Sequence, residues 1–267
     1  MNRIDKALAE LKNKNKKAFI PFITAGDPTL ELTKSLILTL ESVGADIIEL
    51  GVPFSDPIAD GPSIQRASLR SLEHNTSLKD VINMVAEARN ETQIPIVLMG
   101  YYNPIFKYGV AKFVKDATES GVDGVIVADL PPEESSELTA SAKEHNLATI
   151  FLVAPTSTSN RIKLIAEAST GYIYCVSTTG VTGARDTVSE MLLPTLDMIR
   201  KYTDKPIAVG FGVSTPDQAK EVAKVAEGVI IGSAIVNVIE KYKDDSDVLL
   251  ASVGEFASNL AEAIKNM

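Results

Sequence analysis

Eight short apolar runs alternate with longer amphipathic segments along the chain, and this alternation constrains the fold more than any other feature. Most of the runs are continuously apolar, which is typical of parallel strands covered by helices. The runs are AFIPFITAG (18–26), DIIELG (46–51), IPIVLMGYY (94–102), DGVIVAD (123–129), ATIFLVAP (148–155), YIYCVS (172–177), KPIAVGFG (205–212) and EGVIIGSA (227–234). Eight strand–helix units with short connections predict an α/β fold, a (β/α)8 TIM barrel.

The competing architecture is an open, doubly wound sheet. Such a sheet usually has fewer strands, and its dinucleotide-binding form carries G-x-G-x-x-G after the first strand, which FITAGDPT does not supply. With 267 residues, we expect a single barrel domain over residues 1–267. The segment MNRIDKALAELKNKNKK predicts an extra N-terminal helix, with Ile4, Leu8 and Leu11 on one face.

Charge and cysteine content restrict the class of protein. A net charge of −9 argues against nucleic acid and anionic membrane surfaces as partners. The single cysteine, Cys175, has no intrachain partner for a disulfide, which favours the reducing cytoplasm. No apolar stretch is long enough to span a membrane, and the N-terminus lacks the apolar core of a signal peptide.

Three glycine-rich turns follow the last three predicted strands: STTGVTGA (177–184), VGFGVST (209–215) and IGSAIV (231–236). Barrels often bind phosphate at the loops after strands seven and eight, against the N-terminus of a short extra helix. The segment GSAIVNVIEKY predicts that helix, whose free amides and dipole favour an anion. We assign phosphate binding to Gly183, Gly212, Gly232 and Ser233; the alternative is that the glycines only turn the chain.

Glu49 ends an apolar run, DIIEL, and shares strand parity with Ile47, so both side chains point to the same side of the sheet. If that side is the barrel interior, the carboxylate lies at the base of a pocket. Burial would then raise its pKa, which suits proton transfer near neutral pH. The alternative is a structural carboxylate held by a backbone or hydroxyl group.

Further acids follow strand ends. Asp60 lies between Pro57 and Pro62, which restrict the backbone and can hold an acid in one place. Asp56, directly before a proline, is more typical of a residue that organises a turn. Asp129, at the end of VIVAD, is either a third catalytic acid or a helix cap. We therefore expect Glu49 and Asp60 to be the working acids.

Two common aldolase mechanisms lack their residues. A Schiff-base enzyme needs a lysine at the C-terminal end of a strand, and none of the predicted strands has one there. A metal-dependent enzyme normally needs histidines near the site, whereas His74 and His145 lie in polar helical stretches. We expect acid/base chemistry by carboxylates on a phosphorylated substrate, with no metal and no covalent intermediate.

Apolar side chains at or near the predicted strand ends form a candidate pocket for an aromatic group. Each of them alone is more often a core residue. They are Phe22, Leu98, Tyr101, Tyr102, Ile126, Leu152, Tyr174 and Phe211.

The stretch ELGVPFSDPIADGPSIQ resembles the signature of the tryptophan synthase alpha subunit family almost residue for residue. PFITAGDP, VADLPPEE, GVTGA and GFGVSTPDQ follow the family in order and spacing, so the resemblance covers essentially the whole chain. It implies retro-aldol cleavage of indole-3-glycerol phosphate to indole and glyceraldehyde 3-phosphate, a step of tryptophan biosynthesis.

The same resemblance implies roles for individual residues. Glu49 would be the general acid and base, and Asp60 would face the indole N–H. Tyr174 and Thr182 would orient these carboxylates, and the loop at 178–191 would act as a lid. The ring would be held by Phe22, Leu98, Ile126 and Phe211.

A partner is implied as well. The family's alpha chain binds a beta chain that carries pyridoxal phosphate, so we expect an alpha2beta2 heterotetramer and no cofactor in this chain. The contact would include Pro53, Phe54, Asp56, Pro57 and Asn103. Alternatives are a stand-alone lyase that releases free indole, a phosphate-binding isomerase or epimerase, and a non-catalytic phospholigand sensor.

Overall fold

The computed structural model describes residues 2–176, 188–210 and 212–266. Its strands form one parallel sheet in the order β5-β4-β3-β2-β1-β9-β8-β7-β6. The strands are β1 Ala18–Thr24, β2 Ile48–Gly51, β3 Ile96–Gly100, β4 Gly124–Val127, β5 Ala148–Ile150, β6 Leu152–Val153, β7 Ile173–Val176, β8 Ile207–Gly210 and β9 Gly228–Ile231.

The two ends of this strand order are consecutive in the chain. The fifth apolar run forms both β5 and β6, which are interrupted at Phe151. The sheet is therefore a nearly closed barrel of eight sequence runs and nine strands. The predicted (β/α)8 barrel is confirmed.

Helices cover the outside of the barrel. Several begin at a side-chain cap, such as the capping box of Ser77 and Asp80 or the hydroxyl of Thr215. Among the described residues the α-helices are α1 Arg3–Asn13, α2 Leu30–Ser42, α3 Pro62–Glu73, α4 Leu78–Ala88, α5 Tyr102–Tyr108, α6 Val110–Glu119, α7 Ser136–Glu144, α8 Ser159–Ala168, α9 Val188–Arg200, α10 Pro216–Val225, α11 Ser233–Tyr242 and α12 Ser246–Lys265. No helix in these ranges is long and apolar enough to cross a membrane.

Side chains alternate between two apolar clusters along each strand. Leu50 and Leu98 pack in the outer cluster, between strands and helices. Ile47, Val97 and Ile126 pack inside the barrel. The prediction that Leu98 lines the ring pocket is therefore wrong, because strand parity turns its side chain towards the helices.

The predicted N-terminal helix closes the lower end of the barrel, where the strands begin. Ile4 and Leu8 of α1 belong to the interior cluster, and a Cβ added at Gly124 would lie 3.0 Å from Ile4 Cδ1. Asn2 Nδ2 donates to the backbone carbonyl of Asp123 at 2.7 Å. A substrate must therefore enter from the opposite end, where the strands finish.

Candidate active site

Glu49 lies inside the barrel on β2, level with Phe22 of β1 and Val97 of β3. It is fully buried. The interior position follows from its parity with Ile47, which belongs to the interior cluster. The fold thus carries a carboxyl group into an otherwise apolar interior.

The Glu49 carboxyl group has one hydrogen-bond partner among the described residues. Tyr172 donates its hydroxyl proton to Oε1 at 2.7 Å, while Oε2 is buried without a partner. Burial raises the pKa of Glu49 to about 8, and the hydrogen bond from Tyr172 acts in the opposite direction. Glu49 therefore holds a proton at neutral pH, as a general acid must.

Tyr172 is a site residue that the sequence reasoning missed. It shares parity with Tyr174, which was assigned the orienting role, and both rings belong to the interior cluster. The negative charges of Glu49 and Asp60 both contribute to raising the pKa of Tyr174, behind the larger effect of burial. Tyr174 thus lies close to both acids, but the hydroxyl that contacts Glu49 is that of Tyr172.

Local hydrogen bonds define the loop that carries Asp60. The Asp60 amide donates to the carbonyl of Pro57 at 3.0 Å. Gln65 Nε2 donates to the carbonyl of Asp60 at 2.9 Å. Helix α3 then begins at once, with Gly61 as its N-cap and Pro62 in its first turn. The backbone of Asp60 is therefore held on both sides.

Tyr101 lies beside the Asp60 side chain. The Tyr101 hydroxyl accepts the amide proton of Ala59 at 3.0 Å, and it is close enough to the Asp60 carboxyl group to lower the pKa of that group. The ring of Phe54 stacks on Tyr101, with centroids 5.0 Å apart. Burial raises the pKa of Asp60 from its ordinary value, and the hydrogen bond from Tyr101 opposes that shift.

A cavity lies beside Asp60 and Tyr101 at the C-terminal ends of the strands. Gly51 is needed there, because a Cβ at that position would lie 2.5 Å from Phe22 Cζ. Met99, one position after Leu98, faces the cavity instead of Leu98. The lining residues are Phe22, Thr24, Gly51, Val52, Asp60, Ile64, Ser68, Met99, Gly100, Tyr101 and Ala128.

Two of the loops assigned to phosphate are described. Gly232 is the N-cap of α11 and makes no side-chain cap, and the following Ser233 is exposed. Gly212, after β8, is exposed and has a positive φ of 66°, which favours glycine. A Cβ at Gly232 would lie 3.5 Å from the Phe22 side chain, so the α11 terminus adjoins the ring pocket. The predicted residues Thr182, Gly183 and Phe211 lie outside the described residues.

The predicted partner surface lies beside the Asp60 loop. Pro53 is buried, Phe54 and Pro57 are half-buried, and Asp56 and Asn103 are exposed. Two large apolar side chains that the sequence reasoning missed lie on the same loop and on α5: Ile58 is 85% exposed and Phe106 is 63% exposed.

Asp129, left open between catalysis and capping, has a structural partner. Its Oδ1 accepts the amide proton of Tyr102, the first residue of α5, at 2.8 Å. It therefore caps α5, not the helix that follows it in sequence. This bond ties the end of β4 to the segment that carries Tyr101.

Comparison with known proteins agrees with this geometry. The family model described as Tryptophan synthase alpha chain matches residues 8–265. The tryptophan synthase alpha chain of Geotalea uraniireducens is 50% identical over 265 residues, covering 99% of this chain and 98% of that protein. The alpha chain of Geobacter sulfurreducens is 50% identical over 266 residues, covering 100% of both.

Solved structures agree as well. The tryptophan synthase subunit alpha of Legionella pneumophila superposes with a TM-score of 0.92 at 43% identity, over 100% of both chains. A chain of Mycobacterium tuberculosis tryptophan synthase gives 0.89 at 35% identity, over 99% of this chain and 98% of that one. This chain belongs to the tryptophan synthase alpha chain family.

Proposed function

We propose that the barrel cleaves indole-3-glycerol phosphate with its own carboxylates, Glu49 serving as both acid and base. Membership of the family makes the chain a carbon–carbon lyase of tryptophan biosynthesis, releasing indole and glyceraldehyde 3-phosphate. The observation that carries the role of Glu49 is its complete burial with one oxygen unpartnered and its pKa raised to about 8.

The cleavage needs one proton delivered and one removed. Protonated Glu49 gives its proton to C3 of the indole ring, which becomes a cationic iminium. The resulting carboxylate takes the proton of the adjacent glycerol hydroxyl. The bond between the ring and the side chain then breaks, leaving indole and an aldehyde, and Glu49 is protonated again. A pKa near the working pH suits a group that must do both.

Asp60 stabilises the charge that develops on the ring nitrogen. Its carboxylate lines the same cavity as Phe22, on a loop held on both sides. A well-placed charge at such a position is worth roughly 10²–10³ in rate. Phe22, Ile126 and Met99 hold the ring, with Met99 in the role first assigned to Leu98.

The phosphate of the substrate binds at the N-terminus of α11. Gly232 leaves the first amides of this helix without a side-chain cap, and the helix dipole favours an anion there. Gly212 and Ser233 also contribute to the phosphate site. Gly183, which lies outside the described residues, is assigned to it from the sequence.

Family membership also implies a beta subunit as partner. We propose an alpha2beta2 complex that works in the cytoplasm, with pyridoxal phosphate in the beta subunit. The contact surface comprises Pro53, Phe54, Asp56, Pro57 and Asn103. Ile58, 85% exposed, and Phe106, 63% exposed, are the two most exposed large apolar side chains among the described residues, and they lie on the loop and the helix of the proposed surface.

Indole release from indole-3-glycerol phosphate tests the proposal, with the purified chain measured alone and with excess beta subunit. Weak activity alone that rises strongly with the beta subunit is the expected result. Equal, fast activity in both would identify a stand-alone lyase. No activity in either measurement would overturn the assignment of Glu49 and Asp60 as catalytic residues. It would favour the alternative that the chain is a non-catalytic phospholigand sensor.

A further inference from the structure

Thr24, at the end of β1, carries a buried hydroxyl group that the roles above do not use. Its side chain is 1% exposed, and Oγ1 has no hydrogen-bond partner in the described part of the chain. A buried hydroxyl without a partner costs free energy, and a valine of the same shape would avoid that cost. A threonine here therefore points to a partner that arrives during function.

The hydroxyl lies at the active-site cavity. Thr24 shares parity with Phe22, so both side chains point to the interior side of β1. It pairs with Gly51 of β2, and it lines the same cavity as Asp60, Tyr101 and Phe22. The Thr24 hydroxyl therefore lies at the cavity that we propose binds the indole ring of the substrate.

Asp60 is the strongest acceptor among the lining side chains, which also include the hydroxyl groups of Ser68 and Tyr101. It is the charged residue among the lining side chains. The Tyr101 hydroxyl accepts from Ala59 and lies beside the Asp60 carboxyl group, whose pKa it lowers, so Tyr101 is one side-chain neighbour of this carboxyl group. An ionised carboxylate can accept about four hydrogen bonds, which leaves room on Asp60 for a second side-chain donor.

We propose that Thr24 is a positioning residue for Asp60: in the substrate-bound site its hydroxyl donates to the Asp60 carboxylate and, with Tyr101, keeps it charged and directed at the ring nitrogen. This inference rests on the proposed role of Asp60. A substrate that fills the cavity removes water from Asp60, so the carboxylate needs protein donors to stay ionised. A hydrogen-bond donor on a rigid strand also holds the carboxylate of a loop residue in one position better than a donor on the loop itself.

The test compares Thr24→Val, which keeps the shape and removes the hydroxyl, with Thr24→Ser, which keeps the hydroxyl. Indole release is measured with the beta subunit present, over a range of pH. We expect Thr24→Val to lower kcat about tenfold or more, as the loss of a hydrogen bond to a charged group does, with a smaller change in KM. Thr24→Ser should recover most of that loss.

The pH profile separates positioning from packing. Loss of a donor to the ionised carboxylate raises the pKa of Asp60, so the acid limb of kcat should move to higher pH in Thr24→Val and not in Thr24→Ser. In an Asp60→Asn background, Thr24→Val should have little further effect, because the charged acceptor is gone. Thermal unfolding of each variant checks the fold, and Thr24→Ala replaces Thr24→Val if the latter fails to fold.

Several results would overturn the inference. These are full activity in Thr24→Val, equal losses in Thr24→Val and Thr24→Ser, or a Thr24→Val loss that persists undiminished beside Asp60→Asn. Full activity of Asp60→Asn would instead remove the proposed role of Asp60, and the Thr24 inference with it.

Discussion

Asp123 and Glu49 are both buried carboxyl groups, the first at the lower end of the barrel and the second nearer its active face, and their surroundings are opposite. Asp123 is 3% exposed. Its Oδ1 contacts Arg3 at 3.0 Å, and its Oδ2 accepts from Arg89 and from the Ile96 amide, both at 2.9 Å. Glu49 is 0% exposed, with Tyr172 as the single donor described and Oε2 unpartnered.

The comparison shows what buried acids do in one fold. Asp123 has a cation or an amide at each oxygen, so its charge is used to join α1, the end of α4 and β3. No cation lies beside Glu49 among the described residues, so its charged form is disfavoured. Similar burial thus gives a carboxylate held by cations at one end and, at the other, a carboxyl group that keeps its proton to higher pH, as its proposed catalytic role requires.

The largest expected effect comes from Glu49→Gln. Glutamine keeps the shape and the hydrogen bond with Tyr172 but cannot exchange a proton. We expect indole release to fall at least about 100-fold, in the range that general acid–base catalysis contributes, with the fold retained. A variant that keeps more than about a tenth of the activity would end the assignment of Glu49 as acid and base.

Removing the structural acid should affect stability instead. Asp123→Asn leaves Arg89 buried, at 10% exposure, without its charge partner. We expect a loss of about 3–5 kcal/mol in the free energy of unfolding, measured with urea, and unchanged kcat for the folded protein. The control is Glu167→Gln in the exposed pair with Lys163, which should cost less than about 1 kcal/mol. Equal losses of stability in the two variants would show that the Asp123 pairs contribute no more than an exposed ion pair.

Titration of Glu49 should contribute to the pH dependence of the free energy of unfolding. Its pKa is raised on folding from 4.5 to about 8, so between these values the folded state binds more protons than the unfolded state. Stability from this group therefore falls as pH rises from about 5 to 8, by up to a few kcal/mol. Urea unfolding at both pH values should show a weaker fall in Glu49→Gln. An identical pH dependence in the two proteins would contradict the raised pKa.

The smallest expected effect is that of Tyr172→Phe. This change removes the described donor to Glu49, and because that donor favours the ionised form, the pKa of Glu49 should rise further. We expect the pH optimum of kcat to move upward and the rate at pH 7 to fall about tenfold. Tyr202→Phe, at a 39% exposed ring on the surface, is the matched control and should change neither. A pH profile that does not move would assign Tyr172 to packing alone.

Much of the site could be predicted from the sequence because its signals are local. The eight apolar runs predicted the barrel. Glu49 lies two positions after Ile47 on the same strand, which predicted that its carboxylate points to the interior. The prolines around Asp60 marked a restricted loop. Each of these features depends on the spacing of a few neighbouring residues. In a strand or a turn, that spacing fixes the direction in which each side chain points.

Other predictions failed or were missed because they depend on side-chain direction. Every residue of β3 from Ile96 to Met99 is apolar, so nothing in that run distinguishes inward Met99 from outward Leu98. The role of Asp129 was left open between catalysis and capping for a similar reason. Its partner, Tyr102, lies on the preceding strand–helix unit and reaches it only across the barrel rim.

The sequence by itself determined the barrel, its open face and the two acids, because strand periodicity and turn chemistry are properties of neighbouring residues. Only the tertiary structure decided which groups touch those acids. Tyr172 is 123 positions from Glu49 in the chain, and Thr24 and Asp60 line one cavity only because β1 and the loop after β2 are brought to the same end of the barrel. Closure of the barrel brings such residues together, and the resulting loss of water raises the pKa of Glu49.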